Sequence, residues 1–119
     1  MPHATDTLQA LREALASFAA ERDWDQFHNP KNLAMALAGE VGELVEHFQW
    51  LTFEEAQTLP QDTRDEVALE AADVLLYLVR LCDKLGIDLA QAATRKLAIN
   101  AERYPVDKSH GRAAKHDKL

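Results

Sequence analysis

The chain of 119 residues contains one cysteine, four glycines and four prolines. A lone thiol, Cys82, excludes an internal disulfide framework and any cysteine-based zinc motif, and reads as buried packing. So few glycines and prolines cannot punctuate a many-stranded sheet, so the expected fold class is all-α. No run of 18 or more uncharged apolar residues occurs, and the first residues lack the basic flank and apolar run of a signal peptide. A cytoplasmic protein with no membrane partner is the expectation.

Basic side chains are scarce as well: 13 Lys and Arg face 20 Asp and Glu, for a net charge of -7. Four of those cations and only two of the acids lie in residues 106–119, which leaves residues 1–105 the more acidic. Such a body repels nucleic acid polymers. It suits a divalent cation, although solvated acidic helix faces are the commoner origin of this charge.

Hydrophobic spacing is helical throughout. Thr5 and Asp6 can cap a first helix whose Leu8, Leu11, Leu15 and Phe18 repeat at about 3.6 residues. The segment from Arg22 to His28, with Trp24, Phe27 and His28, breaks that period as an aromatic loop. Asn29 and Pro30 then supply an N-cap and an N1 proline for a second helix running to Trp50 on the stripe Leu33, Leu37, Val41, Leu44 and Phe48. Gly39 and Gly42 within it look placed for close helix approach, for which subunit packing is one reason. Thr52 with Glu55 matches a capping box for a short helix that Pro60 closes. After Asp62 and Thr63 a long helix follows Val67, Val74, Leu75, Leu78 and Leu81 to Gly86, and Asp88 caps a last helix that Pro105 stops. Four substantial helices with short connections imply a four-helix bundle with one short extra helix. Residues 1–105 are expected to form the domain and 106–119 a mobile polar tail.

At 100° per residue, Glu40, Glu43 and His47 share one flank of the second helix, with Glu46 nearer solvent. Glu66, Glu70, Asp73 and Tyr77 share a flank of the long helix. No Lys or Arg lies between Glu40 and Leu51, and Arg80 is the only one between Asp65 and Asp83. Acidic groups bordering apolar stripes are ordinary where cations sit at i+4; here those partners are missing, and a hard oxygen-loving ion such as Mg²⁺ or Mn²⁺ would relieve the repulsion. A di-iron bundle needs Glu-x-x-His, which is absent here. Trp24, His28, Trp50 and Tyr77 could offer faces to a base, or be core aromatics. Lys96, Asn100 and Arg103 continue the stripe of Leu89, Ala92 and Ala93; snorkelling at a bundle end and phosphate binding explain them equally well.

The blocks Gly39-Glu40-Val41-Gly42-Glu43, Phe48-Gln49-Trp50 and Glu70-Ala71-Ala72-Asp73-Val74-Leu75-Leu76-Tyr77 resemble the all-α nucleoside triphosphate pyrophosphatases of the MazG type. The run from Trp24 to Leu33 and the late Lys96-Leu97-Ala98-Ile99-Asn100 narrow the resemblance to the dCTP pyrophosphatase branch, and it extends from about Leu8 to Pro105. It implies a four-helix core, usually a homotetramer, that hydrolyses a nucleoside triphosphate to the monophosphate and pyrophosphate with Mg²⁺. The ligands it implies are Glu40, Glu43, Glu70 and Asp73, which double as the catalytic set. Substrate contacts would come from Trp24, Gln26, His28, Trp50, Tyr77, Lys96, Asn100 and Arg103. The broad family motif opens with two adjacent Glu residues, whereas Gly39 stands at the first place here; Leu15 stands where vertebrate members carry a His. The expected role is nucleotide-pool house-cleaning on dCTP or modified dCTP. The alternative is a noncatalytic helical module whose acidic face binds a metal or a basic partner.

Overall fold

In a computed structural model, residues 4–119 are described, with side chains described from Thr7 onward. Among them every regular element is helical: α1 (Ala4–Glu21), α2 (Pro30–Glu46), α3 (Phe53–Gln57), α4 (Gln61–Lys84), α5 (Leu89–Arg103), α6 (Val106–Ser109) and a terminal 3₁₀ turn, His116–Lys118. The all-α expectation of four long helices is met; in place of the one short extra helix expected, the described residues show two, α3 and α6, and the 3₁₀ turn. The side chains of Thr5 and Asp6, expected to cap α1, lie outside the described residues.

Local chemistry sets the boundaries. Asn29 accepts a hydrogen bond from the Asn32 N–H with Pro30 at the first turn, leaving fewer orphan donors at the start of α2. Thr52 and Glu55 form the reciprocal capping box of α3, and the Asp88 carboxylate accepts from the Gln91 N–H at the start of α5. α4 ends before Gly86, whose φ of +67° is a conformation that glycine adopts without a Cβ clash.

Two boundaries differ from the sequence expectation. α2 stops at Glu46 rather than Trp50, because the following N–H groups of His47, Phe48 and Leu51 bond three residues back instead of four, tightening the chain into turns before the extended cap at Thr52. α4 begins at Gln61, just after Pro60, ahead of the expected Asp62 and Thr63.

Among the described residues, those up to Ile87 form one compact unit and residues 88–119 a second. In the first, α4 packs against both α2 and α1. Its buried apolar set is small: Ala19 from α1, Leu33 from α2, and Val79 and Cys82 from α4. Leu33, only 2% exposed, stabilises by about 2 kcal/mol through burial alone. A Cβ at Gly39 or Gly42 would meet nothing within 4 Å, so the close approach expected there does not occur within the chain. In the second unit, α5 is followed by α6, and the Tyr104 and His116 rings meet edge to face at 5.9 Å.

Candidate active site

The helical register of α2 and α4 brings Glu40, Glu43 and Glu70 together, each offering a carboxylate oxygen within 4.8 Å of the others. Glu40 and Glu70 are half-buried, and the Oε2 atom of each is enclosed without a hydrogen-bond partner. Desolvation pushes the Glu40 pKa up to about 7, reinforced by a hydrogen bond and charge from Glu43 and by the charges of Asp73 and Glu70. Glu70 is raised by desolvation and by Glu43 and Asp73. Among the described residues no Lys or Arg pairs with any of these four acids. Enclosed, unpartnered carboxylate oxygens with no cation fit a hard divalent ion by the chemistry of the donor set. Glu46 is exposed and outside the group. His47, expected beside Glu40 and Glu43, places its Nδ1 3.9 Å from Glu66.

Asp73 also faces a second feature. Between α1, the aromatic loop and α4 lies a cavity of about 430 Å³, in the range of small-molecule sites. Leu11, Ala14, Leu15, Phe18 and Ala19 form its α1 wall; Asp73, Leu76, Tyr77 and Arg80 form the α4 wall; Trp24 and His28 come from the loop. Trp24 stands edge-on to Phe18 at 5.6 Å and tilted to His28 at 6.1 Å, so the two loop rings and Phe18 brace one another.

The loop that carries those rings is held by polar contacts. Asp23 adopts a φ of +55°, a left-handed conformation costing an ordinary residue roughly 1–2 kcal/mol. The Gln26 amide donates to its carbonyl and carboxylate at 3.1 and 3.0 Å. Gln26 therefore braces the loop and does not line the cavity. Asn32 donates to the Phe27 carbonyl at 3.1 Å, tying the loop to α2.

Arg80 anchors the loop to α4. Only 5% exposed, its guanidinium donates to Asp25, to Asp83 at 3.4 Å and, through Nε, to His28 Nδ1 at 3.1 Å. Lys84 adds a 2.9 Å bond to Asp25. A buried cation needs partners of this kind. Hydrogen bonding to Lys84, then its charge and the Arg80 contacts, hold Asp25 below the usual carboxylate range. Burial, with the Arg80 charge, lowers His28. This network was absent from the sequence expectation. Its signal was a lone arginine inside the apolar run Leu78-Val79-Arg80-Leu81-Cys82, which no neighbour on its own helix could neutralise except Asp83.

The other expected residues are elsewhere. Trp50 is 86% exposed and does not line the cavity, which excludes its reading as a core aromatic. Lys96, Asn100 and Arg103 lie on α5 in the second unit.

An all-α fold with an oxygen-donor acidic cluster beside an aromatic cavity defines the class, and the chain belongs to the MazG-like family, whose model matches residues 36–119. More particularly, it is similar to dCTP pyrophosphatase 1 of Mus musculus, at 49% identity over 115 residues covering 95% of this chain and 68% of that protein. The Homo sapiens dCTP pyrophosphatase 1 is 46% identical over the same shares. The crystal structure of a pyrophosphatase from Archaeoglobus fulgidus matches with a TM-score of 0.79 at 38% identity, over 88% of this chain and 98% of that one. Among the described residues no helix is long and apolar enough to cross a membrane.

Proposed function

We propose that the acidic cluster and the neighbouring cavity are two halves of one catalytic site, the first for the triphosphate and the second for the base. The chain is an enzyme, a nucleoside triphosphate diphosphatase that converts dCTP or a 5-substituted dCTP to the monophosphate and pyrophosphate. The observation that carries this reading is the placement of Asp73. It lines the aromatic cavity while its charge acts on Glu40 and Glu70, so a base in the cavity has its phosphates directed toward the carboxylates.

Glu40, Glu43, Glu70 and Asp73 would hold Mg²⁺, with Mn²⁺ as its chemical substitute. Such an ion, when bound, supplies charge neutralisation for phosphate oxygens and acidity for a water attacking the α-phosphorus. The chain's own residues orient and desolvate. Trp24 and Tyr77 supply aromatic surface to the base, and the Leu11, Leu15 and Leu76 side chains keep water from the ring.

Self-association completes the reading. Few apolar residues are buried, while Trp50, Phe53 at 92% exposure, Leu69 and Met35 face outward. We assign the exposed Trp50 and Phe53 to the contacts of a homotetramer, the assembly that the family resemblance implies.

Purified protein incubated with dCTP and Mg²⁺ should release pyrophosphate, and a chelator should stop it. Absence of turnover across the canonical and 5-substituted nucleotides would instead favour a noncatalytic helical module.

A further inference from the structure

The hydrogen bond from Arg80 Nε to His28 Nδ1 has a consequence for the cavity that both residues line. An arginine only donates, so the Nδ1 atom facing it must be the accepting, unprotonated nitrogen, and the neutral ring carries its proton on Nε2. Among the described residues Nε2 has no hydrogen-bond partner in the protein, and it is not among the enclosed unpartnered atoms; it is accessible to a ligand. Burial and the Arg80 charge both favour the neutral ring. Arg80 itself is fixed from behind by Asp25 and Asp83, so its Nε cannot turn away from the ring without breaking ion pairs.

We propose that Arg80 is a positioning residue for base selection: it locks His28 as the Nε2–H tautomer, so that the ring presents a hydrogen-bond donor, and never an acceptor, to a base in the cavity. This rests on the reading that the cavity receives the base. A fixed donor selects a base with an acceptor opposite it. Thymine and uracil share the O2 acceptor with cytosine but carry hydrogen on N3, so the Nε2–H is placed opposite N3, where cytosine accepts and the other two oppose a donor. Discrimination of cytosine from the other pyrimidines follows from a proton position set by a residue that need not touch the substrate.

The tautomer is read directly from two-bond ¹H–¹⁵N correlation spectra of ¹⁵N-labelled full-length protein without metal, the His28 signals being assigned by their loss in His28→Gln. The expected spectrum shows one tautomer with the proton on Nε2, and the Nε2 resonance shifts on adding dCMP and much less on adding dTMP. A wild-type ring protonated on Nδ1, or already a mixture of tautomers, overturns the proposal, as does an Nε2 resonance indifferent to dCMP. Arg80→Met should produce the mixture and lower the dCTP over dTTP ratio of kcat/KM by about 3- to 10-fold, the loss of one hydrogen bond. Glutamine has no tautomers, so the same Arg80→Met change made in His28→Gln should leave the ratio as it was. A ratio untouched by Arg80→Met, or lowered equally in both backgrounds, also overturns it.

Arg80→Met should fold, because Asp25 keeps Lys84 and Asp83 is only partly buried; if it does not, the wild-type spectra still decide. Wild-type protein that hydrolyses no nucleoside triphosphate refutes the catalytic reading, a result separate from the dCMP titration that decides whether His28 meets a base.

Discussion

The two halves of α4 handle charge in opposite ways. Toward its N-terminus, Glu70 faces Glu40 and Glu43 with Asp73 close by, and the described residues bring no Lys or Arg to them. About two to three turns beyond Asp73, Arg80 and Lys84 are met by Asp25 and Asp83 within 3.4 Å or less. A protein able to neutralise a buried charge from within, as it does at Arg80, leaves the carboxylates unmet where something from outside completes them. The paired end holds the aromatic loop against the cavity; the unpaired end is where the proposed ion would bind.

Substitution separates the two most strongly in activity. Glu43→Gln should lower kcat/KM by about 100-fold or more, the scale expected when a ligand of the ion is lost, while circular dichroism shows an unchanged helical content. Asp25→Asn should act the other way round, lowering the melting temperature with the larger part of the activity retained. If Glu43→Gln unfolds the protein instead, the carboxylates are structural and the contrast fails.

The pH dependence of stability should have opposite signs at the two ends. Folding raises Glu40 from 4.5 to about 7, so the folded chain binds that proton more tightly. Its contribution is full below about pH 4.5 and is lost as pH rises through about 7. Folding lowers Asp25 below 3.8, so its contribution is present above that value and disappears as pH falls through the folded pKa. Melts in chelator should show Glu40→Gln removing the decline between about pH 4.5 and 7, and Asp25→Asn removing the acid one. Divalent cation should cancel the Glu40 decline and leave the Asp25 limb alone.

Assembly is the next smaller test, since neither half of α4 is expected to depend on the C-terminal residues. A chain ending at Tyr104 should sediment as the same oligomer as the full chain, and a monomer at micromolar concentration in either would contradict the assigned tetramer. The smallest effect belongs to Glu46→Gln, which lies outside the acidic group and should change kcat/KM by no more than about twofold, as exposed substitutions do.

The unpaired end was legible in the sequence and the paired end was not. Glu40, Glu43 and Glu70 declare themselves through i, i+3 spacing and through missing cations, both local properties of a helix. Asn29 with Pro30, Thr52 with Glu55, and Gly86 were equally legible, because each cap is set by side chains within a few residues. The Arg80 to Asp25 pair spans 55 positions, and no periodicity announces which loop residue will meet a buried arginine. The same distance hides the cavity, whose α1 wall reads in sequence as an ordinary apolar stripe. The end of α2 was placed too late because Phe48 continues its hydrophobic period, while the tighter bonding that ends the helix leaves no mark on that pattern.

The most direct test of the catalytic account is the fate of the attacking oxygen when dCTP is hydrolysed with Mg²⁺ in ¹⁸O-labelled water. Attack at the α-phosphorus, with pyrophosphate leaving, places the label in dCMP and none in pyrophosphate. Label in pyrophosphate, or release of orthophosphate with dCDP, would contradict it.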